Sequence, residues 1–346
     1  MRVAFNVRTA VMGVAAAAFA TASLLVSTAG AQDVTRWRVQ SHWPSASSSF
    51  EDSLVFLKER LEKRTEGRLM LQLHEAGALF PAQEIFNAVS RGVIQMGTTS
   101  PAYLRDKLST AGFAAGLPFA FREVWEAMYF HKVLGFEDVI RAEAAEFGVY
   151  YTTDKVYPTE MVLKKPIETF EDFQGLKIRS SGALQVFLTE AGAAASYVPG
   201  PELYPALATG VMDGAHWGAA QGAQSMGLHE VAKYHVKPPL TISGVDVLVV
   251  NQEAMDALPE DVRDILVETL EEQFWLRSTE YQYLERVALA KAVAEHDVKV
   301  HQLPDEVMAK LTEVALQVWE EEGKRSDKAG EILQKLKDFL TELGHL

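Results

Sequence analysis

The chain contains no cysteine. It can therefore form no disulfide, present no thiolate nucleophile and hold no metal through sulfur. Beyond residue 31 no segment approaches the ~20 apolar residues that a membrane-crossing helix needs. Positive charge is also scarce, with 33 Lys and Arg against 47 Asp and Glu and a formal net charge of −14. Such a surface disfavours nucleic acid and anionic membranes as partners. It does not exclude a small anion, because a cation inside a cleft outweighs diffuse charge that salt screens over about 10 Å. The chain has no G-x-S-x-G, no G-x-G-x-x-G and no phosphate-binding loop. Its nearest approach to a zinc-protease motif is His229-Glu230 with His235. Those histidines are six apart and fall on different faces of a helix, so they cannot share a metal in that way. No enzyme activity is expected.

What is present is an ordinary globular composition. The 346 residues suffice for about two domains, and the 48% apolar content supplies their cores. Residues 1–31 read as a signal peptide, with Arg2 and Arg8 ahead of the small and apolar run Ala10–Val26 and an Ala29-Gly30-Ala31 cleavage site. Cleavage after Ala31 removes two positive charges and takes the net charge from −14 to −16. A periplasmic location is the expectation, with no lipid anchor because there is no cysteine to carry one.

The rest alternates strand and helix. Strands are predicted at Trp37–Ser41, Leu69–Leu73, Ile94–Thr98, Val149–Thr153, Glu160–Leu163 and Val245–Val250, with helices between them. From Pro259 to His296 no proline or glycine interrupts a helical pattern, which predicts one helix of up to ~38 residues, or ~57 Å. That length exceeds one domain. The fold class is therefore α/β with two lobes around a cleft and a long helix crossing both. The expected partition is 32–152 with about 240–275 in the first lobe, and 153–239 with about 276–310 in the second. Residues 311–346 form charged helices that pack on the lobes or on a partner subunit.

The stretch Gly175–Gly218 is the most informative. It reads as strand, turn, helix, strand, helix and strand, and two of its strand ends carry Arg179 and His216-Trp217. In open α/β sheets ligands sit beyond the carboxyl ends of strands. Its pattern LKIRxxG followed by ELYxALxxGxxDG resembles the periplasmic solute-binding proteins of TRAP transporters, the DctP-like family. Gly67–Ser100, LPFAFRE at Leu117–Glu123 and VLVVNQEAMDALPEDV at Val247–Val262 resemble that family's other conserved segments, in the same order. The pattern is nearest to the branch that binds 2-oxoacids and monocarboxylates. The resemblance implies a two-lobed, type II-like binding protein that delivers a small organic acid to membrane permease subunits, with no cofactor. An ABC-type binding protein, or a ligand-sensing partner of a receptor, are the alternatives. It also implies a monomer, or a dimer formed by helix exchange.

In that family the arginine of the LKxR motif holds the ligand carboxylate, which implies this role for Arg179. A guanidinium offers a rigid fork that matches a carboxylate in two parallel bonds. Trp217 supplies a flat apolar wall beside it, and His216 precedes it. Metal-assisted members of the branch carry an acid at the His216 position and a second near Thr241. This chain carries neither, so no metal is expected. The remaining candidates follow first-lobe strands, namely His42 and Trp43, Ser47–Ser49, and Thr99, Ser100 and Tyr103. Glu160 is placed by the resemblance as a polar ligand contact from the second lobe. Phe80, Phe119 and Phe121 read as core.

Overall fold

The structure, a computed structural model, describes residues 34–346. The predicted signal peptide lies outside the described residues. Two sheets organise the chain. The first is five-stranded, in the order β2-β1-β3-β10-β4, from β1 (Thr35–Gln40), β2 (Leu69–His74), β3 (Met96–Thr99), β4 (Val149–Thr159) and β10 (Thr241–Asn251). Strands β1, β2 and β3 are parallel, while β10 runs antiparallel between β3 and β4. The second sheet is six-stranded, in the order β11-β9-β5-β8-β6-β7. It comprises β5 (Met161–Leu163), β6 (Lys177–Arg179), β7 (Ala194–Ser196), β8 (Gly214–His216), β9 (Tyr234–Lys237) and β11 (Lys299–Gln302).

The chain passes between the sheets at Glu160, between β4 and β5, and again at Pro238–Leu240, between β9 and β10. The first crossing comes later than the sequence suggested. Strand β4 runs on to Thr159 in the first sheet instead of stopping at Thr153, because its charged pair Asp154-Lys155 is buried and neutralised rather than solvated. The short, half-polar strands β9 and β11 carry too few apolar residues to register as a period-2 pattern.

The uninterrupted segment after Pro259 forms one helix, Glu260–His296, of 37 residues. At 1.5 Å per residue it is ~56 Å long. Its N-terminal half buries Val262, Leu266 and Leu270 against the first sheet, beside Leu71, Leu248 and Val250. Farther along, Glu285 accepts a hydrogen bond from the Gln221 amide of the second-sheet half, at 3.0 Å. The helix thus spans both halves of the molecule. The C-terminal helices Asp305–Gly323 and Asp327–Glu342 fold back on their own chain. Trp319 donates its indole N–H to the Pro118 carbonyl at 2.9 Å, and Phe339 stacks on Phe130 and Tyr129.

Candidate functional site

The carboxyl ends of β1, β3, β6 and β8 converge on one cavity of about 70 Å3 between the sheets. Segments from both halves meet across it. Tyr103 packs edge-on against Tyr197 at 5.5 Å, and the Ser48 amide donates to Ser225 Oγ at 3.1 Å. Gln221 donates to Asp52 at 2.7 Å.

Arg179 ends β6 and is 3% exposed, with its side chain on the cavity wall. Two backbone carbonyls aim it: Nε donates to Val198 O at 3.1 Å and Nη1 to His216 O at 2.8 Å. The guanidinium lies against Trp217 at 4.9 Å and Tyr197 at 5.6 Å. Among the described residues no carboxylate oxygen comes within 4.0 Å of it. A guanidinium has five N–H donors, so three remain for a ligand.

His42, Trp43, Ser100, Tyr103, His216 and Trp217 also line the cavity. Ser100 spends its hydroxyl locally, accepting from the Ala102 amide at 3.3 Å as a helix cap. His216 hydrogen-bonds Ser180 through Nδ1 at 3.1 Å. Burial, reinforced by Arg179, pushes its pKa well below the usual imidazole value, so it is neutral and cannot serve Arg179 as counter-ion or compete with it for an anion.

Glu160 does not reach the cavity wall. Its buried carboxylate pairs with His235 and Lys237 instead. Burial opposes its ionisation, but those two partners outweigh burial and lower its pKa. Its backbone amide nonetheless donates to Gly218 O at 2.8 Å, at the turn after Trp217. Thr241 is fully buried, with Oγ1 accepting from the Ser243 amide at 3.1 Å, and it too is off the wall.

Residues that sequence reasoning missed also line the cavity, chiefly Asp246, Tyr157 and Tyr281. Asp246 Oδ2 accepts from Lys155 at 2.9 Å; Oδ1 accepts from Tyr157 at 3.1 Å and contacts His42 Nε2 at 3.2 Å. Lys155, fully buried, also pairs with Asp154 at 3.0 Å and lies 4.5 Å over Trp43. Burial alone would raise the Asp246 pKa, but Lys155 and His42 outweigh it and hold the group ionised. Burial, with Asp246 adding to it, pushes the Tyr157 phenol well above its ordinary value, so it stays a donor.

The family model for bacterial extracellular solute-binding proteins, family 7 (DctP), matches residues 40–325. The chain belongs to this family. The resemblance read from the LKIRSSG segment is therefore correct, and the DctP family is one of binding proteins rather than enzymes. The monocarboxylate 2-oxoacid-binding periplasmic protein of Nostoc sp. is 26% identical, over 97% of this chain and 94% of its own length. The C4-dicarboxylate-binding periplasmic protein DctP of Rhodobacter capsulatus is 29% identical, over 65% of this chain and 66% of its own. In fold, the chain matches a TRAP periplasmic solute-binding protein from Pseudoalteromonas atlantica, solved with sodium and pyruvate. The TM-score is 0.83 at 24% identity, covering 90% of this chain and 95% of that one. The chain shares that protein's two-lobed fold. Among the described residues, no helix is long and apolar enough to cross a membrane.

Proposed function

We propose that this DctP-family chain is the periplasmic receptor of a TRAP transporter, capturing a small organic acid anion and handing it to the membrane permease. Arg179 is the carboxylate holder. The observation that carries this is a buried cation on the cavity wall with no acid to neutralise it. Burying an unpaired charge costs several kcal/mol, so such a site favours any anion that can complete it. Two charge-assisted bonds at about 1.5–3 kcal/mol each would supply about half of the ~8 kcal/mol that micromolar binding needs. Trp217 and Tyr197 flank the guanidinium, and hinged closure of the two halves removes water from the pair. The Nostoc relative binds monocarboxylate 2-oxoacids, which supports a monocarboxylate here, and the small cavity supports a short one.

A melting-temperature screen of the mature protein against organic acids tests the reading. A ligand at 100 times its Kd adds about 2.7 kcal/mol of stability. At ~2 °C per kcal/mol for a chain of this size, the expected rise is about 5 °C. Sugars, amines or peptides raising the melting temperature where short carboxylates do not would overturn it.

A further inference from the structure

The cavity wall carries two groups of opposite charge. One is Arg179, a cation without a counter-ion; the other is Asp246, the sole carboxylate on the wall among the described residues. We infer that Asp246 is a specificity-determining acceptor, so that the preferred ligand is a short monocarboxylate carrying an O–H or N–H donor beside its carboxylate. This rests on the proposed function and narrows it from organic acids to hydroxy or amino acids.

The argument is one of donors and acceptors. A carboxylate has about four lone-pair positions, and Lys155, Tyr157 and His42 occupy three. Two donors meet at Oδ1 and one at Oδ2, so Oδ2 keeps an open position. His42 Nδ1 lies 2.8 Å from Thr98 Oγ1, whose hydroxyl can donate to it, which leaves the Nε2 proton for Asp246. The surrounding groups thus all donate inward and fix the carboxylate as an acceptor. A ligand hydroxyl or amine satisfies the open lone pair, whereas a keto oxygen there meets another acceptor. A second ligand carboxylate would meet a like charge.

A hard cation could bridge a keto oxygen to Asp246, but the residues do not fit one. Calcium takes six to eight oxygen ligands. The one acid available already bonds the Lys155 ammonium, which lies 2.9 Å away, and neutral His216 is a poor ligand for such an ion. Among the described residues no group of three or more His, Asp or Glu is arranged to hold a metal.

The test is calorimetric titration of the mature protein in sodium-free buffer with EDTA. The probes are three- to five-carbon monocarboxylates that differ only at carbon 2: hydroxyl (both enantiomers), amino, oxo or hydrogen. Succinate serves as the dicarboxylate. A hydroxy or amino member should bind at least tenfold tighter than its oxo and unsubstituted counterparts, and succinate should not compete. Asp246→Asn should bring the series to within about threefold. An oxo acid that binds as well as its hydroxy counterpart overturns the inference, as does one that gains affinity on adding sodium or calcium. Either result leaves the Arg179 reading standing. A preference that survives Asp246→Asn also overturns it, and the wild-type series decides alone should that variant not fold. If no carboxylate binds at all, both readings fall.

Discussion

Replacing Arg179 with methionine isolates the charge from the packing. The methionine stem keeps apolar contact between Trp217 and Tyr197, where the guanidinium now sits. The Val198 and His216 carbonyls lose a donor each, at about 1–3 kcal/mol apiece. Against this, a buried cation with no counter-ion is removed, which returns several kcal/mol. The two changes oppose each other, so the unliganded variant should melt within a few degrees of the wild type. Binding has no such compensation. Losing two charge-assisted bonds, ~3–6 kcal/mol together, weakens Kd by about 10^2- to 10^4-fold. Calorimetry with the best acid from the screen reads the loss directly, and the ~5 °C ligand-induced rise in melting temperature should vanish. An unchanged Kd in a well-folded Arg179→Met protein would show that the arginine is structural and refute the clamp.

Gly182, in the second-sheet half, sits at φ +62°, and a Cβ there would lie 2.7 Å from Ala102 Cβ of the first-sheet half. Gly182→Ala should weaken acid binding about 5- to 150-fold, from ~1–3 kcal/mol of collision met when the halves close. Adding Ala102→Gly should restore part of the affinity, and a double variant no tighter than the single one counts against the collision. Glu285 is 7% exposed, and burial, more than its neighbour Glu160, raises its pKa to about 8. The folded state then holds a proton that the unfolded chain has lost, so this group's contribution to stability falls as pH rises from ~4.3 towards 8. Glu285→Gln should therefore raise the melting temperature more at pH 8.5 than at pH 5, and equal shifts at both would contradict the assignment.

Much of the cavity wall around the arginine was legible in the sequence. Arg179 and His216 end short strands and Trp217 follows one, and the family likeness implied a ligand role for the arginine. His42, Trp43, Ser100 and Tyr103 followed first-sheet strands for the same reason. The acceptor side was not legible. Asp246 lies inside the apolar run Val245–Val250, where one acid reads as an interruption rather than a ligand contact. Tyr157 and Lys155 lie in the part of β4 beyond its apparent end. The signal that could have exposed them is the pairing itself. Charges in two strands that turn out adjacent, Lys155 opposite Asp246 in the β4–β10 register, meet only after the sheet forms. Glu160 was misplaced for a related reason: as the sole residue between β4 and β5, its side-chain direction is set by the crossing rather than by strand alternation.

The two crossings, at Glu160 and at Pro238–Leu240, run side by side, and the Leu240 amide donates to Thr159 O at 2.8 Å. Stitched together in this way, with the long helix as a third connection, they would act under the proposed closure like the spine of a book, favouring one swing over slip or twist. On that reading the jaws meet in the same register on every cycle. A trapped acid is accordingly presented in a single pose, and whatever unloads it needs to recognise only that one.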